Sequence, residues 1–198
     1  MKRAIRLSKF ERFMIYRLPK IIKNFTCEIC RIGKILISSM VIMRKGIRNI
    51  IYSKKNGTYD CIDIMKIVEN KLNPRQFEIF ICELLKAKGY KAVLTPKGND
   101  YGRDIVVNND VFIECKHYNK NNLVGREICQ KLLGSAQMLG AKECIIVTTG
   151  KYHKNAYEVR NMVNNLKFWD SNNILEILLD IPPDKINRIL VKTLNSAV

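Results

Sequence analysis

Histidine, tryptophan and acidic side chains are scarce in this chain of 198 residues, which has two histidines, one tryptophan and 18 Asp+Glu against 35 Lys+Arg. Two histidines, His117 and His153, are too few for a multi-histidine metal centre, argue against a histidine general base, and read as surface residues. Long apolar runs are also missing. The longest, Ile35 to Met43, spans nine residues and holds two serines, far below the ~20 needed to cross a bilayer. Arg12, Arg17, Lys20 and Lys23 interrupt any signal-peptide core, and no small-residue cleavage site follows, so export is not expected. Five prolines and ten glycines do not make a long flexible linker, and 47% hydrophobic with 27% charged residues excludes collagen-like, mucin-like and wholly disordered chains. The seven cysteines are an odd number. Cys61, Cys82, Cys115, Cys129 and Cys144 stand singly among apolar neighbours, as buried thiols do, and Cys27-Glu28-Ile29-Cys30 has no second CxxC or histidine pair to complete a zinc site. The expectation is a reducing, cytoplasmic compartment.

What is abundant is positive charge. The net +17 favours polyanions, nucleic acid or an anionic membrane. It is unevenly spread: residues 1–60 carry 15 Lys/Arg and 3 acids. The length suits one core plus an appendage, and we divide the chain into a basic, mainly helical N-terminal extension, residues 1–72, and a second domain, residues 73–198. Leu7, Phe10, Met14, Leu18, Ile21 and Phe25 recur at three- and four-residue steps, a basic amphipathic helix that Pro19 should break or kink. Three fates remain open for that stripe: packing on the following domain, gripping phosphates, or lying on a membrane surface. Arg44, Lys45, Arg48, Lys54 and Lys55 before Asn56-Gly57 read as a basic connector and turn.

From residue 73 the pattern is regular. Asn73-Pro74 starts a helix with an apolar face of Phe77, Phe80, Ile81, Leu84 and Leu85, stopped by Gly89. Strands are expected at 90–94, 103–107 and 111–117 as a meander, with Asn108-Asn109-Asp110 as the second turn. A helix over 124–139, a buried strand over 144–149, a helix over 154–164, a short strand over 166–169 and helices over 171–179 and 183–194 complete the series. The fold class is α/β, a mixed sheet flanked by helices.

Chemistry concentrates on one hairpin. If its turn centres on Asn109, Asp104 and Glu114 lie opposite each other, five residues from the centre on either side. Strand periodicity puts Lys116 on the face of Glu114 and turns Ile113 and Cys115 into the core. Two carboxylates so close repel unless a hard cation lies between them, and carboxylates with water are the ligands Mg²⁺ prefers. A cation there with a lysine beside it suits phosphodiester hydrolysis. The bland reading, a solvated Glu-x-Lys on an edge strand, is countered by the apolar Val-Phe-Ile that precedes it.

Phe77-Glu78, Leu84-Leu85, Gly89-Tyr90, Asp100-Tyr-Gly-Arg-Asp104, Glu114-Cys-Lys116, Val124-Gly125, Gln130, Thr148-Thr149 and Phe168-Trp169-Asp170 follow in order the pattern of Mrr-type (type IV) restriction endonucleases. Residues 73–180 thus resemble the catalytic domain of that family, within the PD-(D/E)xK nuclease superfamily. The resemblance implies an αβββαβ restriction-endonuclease-like core and a Mg²⁺-dependent DNA endonuclease, with Mn²⁺ as a substitute, acting on foreign or modified DNA. It implies Asp104 and Glu114 as metal ligands, with Glu78 and the Cys115 backbone carbonyl completing the shell. Lys116 would assist the attacking water and Gln130 would lie nearby as a catalytic residue. Asp100 would serve as a loop residue, and Gly102 would permit the tight backbone before Asp104. DNA is the implied partner and a homodimer the assembly that would cut both strands. A nuclease for branched DNA and a catalytically idle nucleic-acid-binding module are the alternatives. Thr149-Gly150, Lys151 and Lys154 are compatible with phosphate contacts or with a solvated loop.

Overall fold

In the computed structural model residues 18–96, 98 and 101–196 are described, with side chains from residue 28 onward except 29. The elements are α1 (Leu18–Asn56), α2 (Cys61–Asn70), α3 (Pro74–Ala87), β1 (Ala92–Leu94), β2 (Ile105–Val107), β3 (Val111–Lys116), β4 (Leu123–Val124), α4 (Arg126–Leu139), β5 (Glu143–Thr148), β6 (Lys151–Tyr152), α5 (Lys154–Met162), β7 (Leu166–Trp169), α6 (Ser171–Leu179) and α7 (Pro183–Leu194). The chain divides into two units, residues 1–44 and 45–198. Leu7, Phe10 and Met14 of the amphipathic stripe and Asp100 lie outside the described residues. Pro19 falls in the first described turn of α1, and the helix continues without a break after it through Asn56.

The second unit is built on a five-stranded sheet in the order β1-β2-β3-β5-β7. β1, β2 and β3 pair antiparallel, and β3, β5 and β7 pair parallel. A two-stranded parallel ladder, β4 with β6, stands apart. Because successive strand residues face opposite sides, Ile105, Val107, Ile113, Cys115, Ile145 and Val147 pack on one face with apolar residues of α2, α3, α6 and α7. Phe112, Cys144, Ile146 and Leu166 pack on the other with Cys129, Leu132 and Ala136 of α4 and Ala156 of α5. The order α3-β1-β2-β3-α4-β5 is the expected αβββαβ core, interrupted only by the two residues of β4.

Local chemistry explains the element ends. Asn73 and Gln76 exchange hydrogen bonds in a capping box with Pro74 at the first helical position, and Gly89 takes φ +93° just past α3. Asn108 and Asn109 both adopt positive φ, which asparagine tolerates, and turn the chain between β2 and β3.

Several expectations are corrected. The basic segment 44–55 is the last part of α1, not a connector, although the turn at Asn56-Gly57 is present, with Gly57 at φ +62°. That end of α1 is tied down because the buried Asn49 side chain accepts from Cys61 N at 2.9 Å and Ser53 Oγ donates to the Tyr59 carbonyl at 3.2 Å. The helix α2 was not anticipated. Asp60 caps it by accepting from Ile62 N and Asp63 N, and it buries Cys61, Ile64, Met65, Ile67 and Val68. The compact unit therefore takes in residues that the division at 72/73 assigned to the extension, because α2 supplies part of the core. Val124 lies in β4, and Gly125 rather than Val124 precedes α4. His117 is half-buried, not a surface residue: its Nε2 lies 2.8 Å from the Val68 carbonyl and its ring packs on Phe77 at 5.2 Å, and both contacts depend on the placement of α2 and α3. His153 is exposed as expected and caps α5, its Nδ1 accepting from Asn155 N.

At Gly150 a Cβ would stand 2.6 Å from the Asn122 carbonyl oxygen and 2.9 Å from Tyr118 Cβ, with backbone that cannot yield cheaply. Gly150→Ala is expected to cost about 1–3 kcal/mol of stability, read as a lower urea midpoint at unchanged slope. The neighbouring Thr149 hydroxyl is already engaged, accepting from Tyr118 N and donating to the Tyr118 carbonyl, so its role is to join two loops.

Candidate active site

The β2–β3 register pairs Ile105 with Ile113, Val106 with Phe112 and Val107 with Val111, so the hairpin centres on Asn109. Extended by one residue, that register sets Asp104 against Glu114. Asp104 itself stands one residue outside β2, not within a strand over 103–107. Its N–H donates to the Ile113 carbonyl at 2.7 Å and its carbonyl accepts from Thr95 N at 2.9 Å. Its carboxylate turns toward β3, where Oδ2 accepts from Cys115 N at 2.6 Å. That N–H would otherwise seek a backbone acceptor in the ladder, so the side chain replaces main chain at the strand end. Gly102 makes the approach possible. It has φ +75°, and a Cβ there would lie 2.7 Å from the Lys131 side chain.

Glu114 is 5% exposed and Asp104 9%. Glu114 Oε1 lies 2.5 Å from Lys116 Nζ, which confirms that the two residues share a face. Glu114 Oε2 is buried and accepts no hydrogen bond among the described residues. Lys116 is anchored by pairing with Thr148 of β5, whose Oγ1 donates to the Lys116 carbonyl at 2.7 Å. Burial, and then the neighbouring charge of Glu114, push the Asp104 carboxyl up to about 7, while the Cys115 N–H pulls the other way. Lys116 is raised above its ordinary value: burial works to lower it, but the bond to Glu114 and the two carboxylate charges outweigh that. It therefore stays an ammonium at neutral pH. The Cys115 thiol faces the core and is raised well above its usual range by burial and then by Asp104, so its side chain stays neutral.

Glu78 projects from α3, and its charge contributes to raising Asp104. It is paired with Arg75, Nη1 to Oε2 at 2.5 Å, and Arg75 also reaches the Thr95 carbonyl at 3.4 Å. Gln130 is exposed on α4 and its side chain forms no hydrogen bond among the described residues. No group of three His, Cys, Asp or Glu side chains able to hold a metal occurs among the described residues. The structure thus brings Asp104, Glu114 and Lys116 together, holds Glu78 nearby in an ion pair, and leaves Gln130 without contact to the pair. Sequence reasoning missed two cations, Arg75 and Lys131. The first was legible as an i,i+3 partner of Glu78, whereas the second depends on how α4 crosses the hairpin.

The donor set fits a hard cation. It offers carboxylate oxygens, one of them buried without a partner, and Mg²⁺ is typically held by one or two carboxylates with the remaining positions left to water.

A mixed sheet whose antiparallel hairpin brings an aspartate against a Glu-x-Lys strand end, with one helix ahead of the hairpin and one after it, defines the restriction-endonuclease class of fold. The chain belongs to the Mrr catalytic-domain family, described as restriction endonuclease, which matches residues 69–178. Among solved structures it is similar to the DNA modification-dependent restriction endonuclease AspBHI, at 19% identity and a TM-score of 0.53 over 67% of this chain and 39% of that one. It is also similar to the MspJI restriction endonuclease in complex with a 27-mer oligonucleotide, at 14% identity and a TM-score of 0.50 over 69% of this chain and 35% of that one. At these identities the likeness is one of fold, and the chain spans less than two fifths of either enzyme. No curated protein sequence matches it.

Proposed function

We propose that this protein is a Mg²⁺-dependent DNA endonuclease that hydrolyses phosphodiester bonds of foreign or modified DNA. The observation that carries the reading is the buried pair Asp104 and Glu114 with the Lys116 ammonium 2.5 Å from Glu114 and one Glu114 oxygen left without a partner. Such a site is costly to the folded chain by itself, and a strained polar cluster of this kind marks function. Asp104 and Glu114 would hold the cation, with the Cys115 carbonyl and Glu78 as further oxygen donors. Bound there, Mg²⁺ supplies positive charge to a phosphate and makes water a better nucleophile at neutral pH.

The chain's own groups do the rest. Cys115 N–H fixes the Asp104 carboxylate, and the Glu114–Lys116 contact fixes the ammonium. As a cation, Lys116 orients the attacking water and offsets negative charge that develops on the phosphate; it does not act as a base. Gln130 is assigned a place beside the attacking water once DNA is bound, and the excess of 35 Lys+Arg over 18 acids draws the polyanion in.

The family membership and the fold shared with a modification-dependent enzyme support modified DNA as the substrate. Supercoiled plasmid, methylated and unmethylated, incubated with the protein in Mg²⁺ or EDTA tests this. Metal-dependent nicking or linearisation of the methylated plasmid above the unmethylated one is expected. Bound but uncut DNA in both cases would favour a branched substrate or an idle binding module.

A further inference from the structure

Among the described residues, α1 carries a run of exposed apolar side chains. Ile32, Ile35, Leu36, Ile37, Met40, Val41, Ile42 and Met43 are all exposed, with Leu36, Ile37, Met40 and Met43 at 59–65%. At 100° per residue, Ile32, Leu36, Met40 and Met43 form one stripe, with Ile37 and Val41 flanking it on one side and Ile35 and Ile42 on the other, each roughly 100–145° from its centre. The segment 35–43 is therefore apolar around most of its circumference, broken by Ser38 and Ser39, whose hydroxyls are turned back onto the carbonyls of Lys34 and Ile35. Scattered exposed apolar residues need no explanation, but a contiguous belt of this kind does.

Three occupants differ in what they leave unsatisfied. DNA would meet the cations of the helix but leave the belt in water. A second copy of the helix would cover the stripe but leave Ile37 and Val41 outside, and it would bring together two helices that each carry nine Lys/Arg and a single acid, Glu28. An anionic lipid surface meets both needs. Lys34 precedes the belt and Arg44 follows it, neither with an ion-pair partner among the described residues, placed to reach headgroups while the apolar side chains enter the acyl boundary. Nine residues at 1.5 Å make roughly 14 Å, about half the ~30 Å hydrocarbon core, so the belt is too short to span it and suits a helix lying along the boundary of one leaflet. No helix among the described residues is long and apolar enough to cross a membrane.

We infer that residues 32–44 of α1 dock this protein on the surface of an anionic membrane, with the apolar belt in the headgroup–acyl boundary and Lys34 and Arg44 on acidic headgroups. The inference is independent of the catalytic reading.

The test is flotation of the full-length protein, freed of nucleic acid by a high-salt wash, with phosphatidylcholine vesicles with or without about one third phosphatidylglycerol. The wild type is expected to float with the anionic vesicles. Leu36→Glu/Met40→Glu should lower the bound fraction at least tenfold, and so should neutral vesicles or high salt. Unchanged folding of the variant, shown by its urea transition, keeps the comparison valid. A wild type that stays at the bottom of the gradient would overturn the inference. So would flotation that survives the double substitution, because charge alone would then be responsible. A concentration-dependent dimer that the same substitution splits, without lipid binding, would show that a second copy covers the belt.

Discussion

Asp104→Ala or Lys116→Ala is expected to reduce plasmid cleavage by at least ~10³-fold while DNA affinity changes little. The two residues act by different routes. Removing the Asp104 carboxylate takes away half of the acid pair and leaves Cys115 N–H without its acceptor. Removing the ammonium strips the Glu114 carboxylate of its only hydrogen-bonding partner among the described residues and deprives the developing phosphate charge of a cation. Losses of about 10²–10³ follow removal of a single aligned donor in other active sites, and loss of a metal ligand adds to that. The affinity for DNA should persist because it rests on many distributed cations. Gel retardation beside the cleavage assay separates the two, and a variant that still cuts at wild-type rate would remove Asp104 and Lys116 from the mechanism.

A second large effect follows from the carboxyl that titrates at about 7 when folded, against an ordinary value of 3.8. Between these values the folded state binds more protons than the unfolded one, so stability falls as pH rises from about 4 to about 7, and the loss is complete above that. Asp104→Asn keeps an oxygen for Cys115 N–H and removes the buried charge. In EDTA at pH 8 it should therefore melt higher than wild type, on the order of 5 °C for a gain of roughly 1–2 kcal/mol, with little or no advantage at pH 4. The wild type should recover the deficit when Mg²⁺ is added at pH 8, by about 2.7 kcal/mol at a hundredfold excess over Kd, whereas Asp104→Asn should respond weakly. A Tm that rises steadily with pH in EDTA, or a variant that gains from Mg²⁺ as much as wild type, would show that the pair is not a cation site. The gain in stability with loss of cleavage is the trade expected where a site stores unfavourable charge.

The order of the helices and of the five strands of the main sheet from residue 73 onward was legible because each carried a local signal, whereas the two-residue strands β4 and β6 were too short to carry one. Asn73-Pro74 opens α3, Asn108-Asn109 turn the hairpin, and Leu166–Trp169, Ser171–Leu179 and Pro183–Leu194 fall at the expected residues. The helix α2 escaped notice although Asp60 caps it, since its ten residues follow a basic segment that reads as a connector. The compact unit accordingly starts earlier than expected, and with α2 in place His117 acquires a partner that no local pattern could supply.

For the site, hairpin symmetry about Asn109 sufficed to oppose Asp104 to Glu114, and a period of two sufficed to set Lys116 beside Glu114, because strand geometry is local and repetitive. The sequence by itself thus determined the family, the αβββαβ order and the residues that converge. Only the tertiary structure decided that Asp104 leaves the strand to hold Cys115 N–H, that Glu78 is drawn to Arg75, that Lys131 lies over Gly102, and that one oxygen of Glu114 is sealed from water without a partner. Each of these depends on distances between elements far apart in the chain, and on burial, which magnifies electrostatic interactions that no window of sequence can measure.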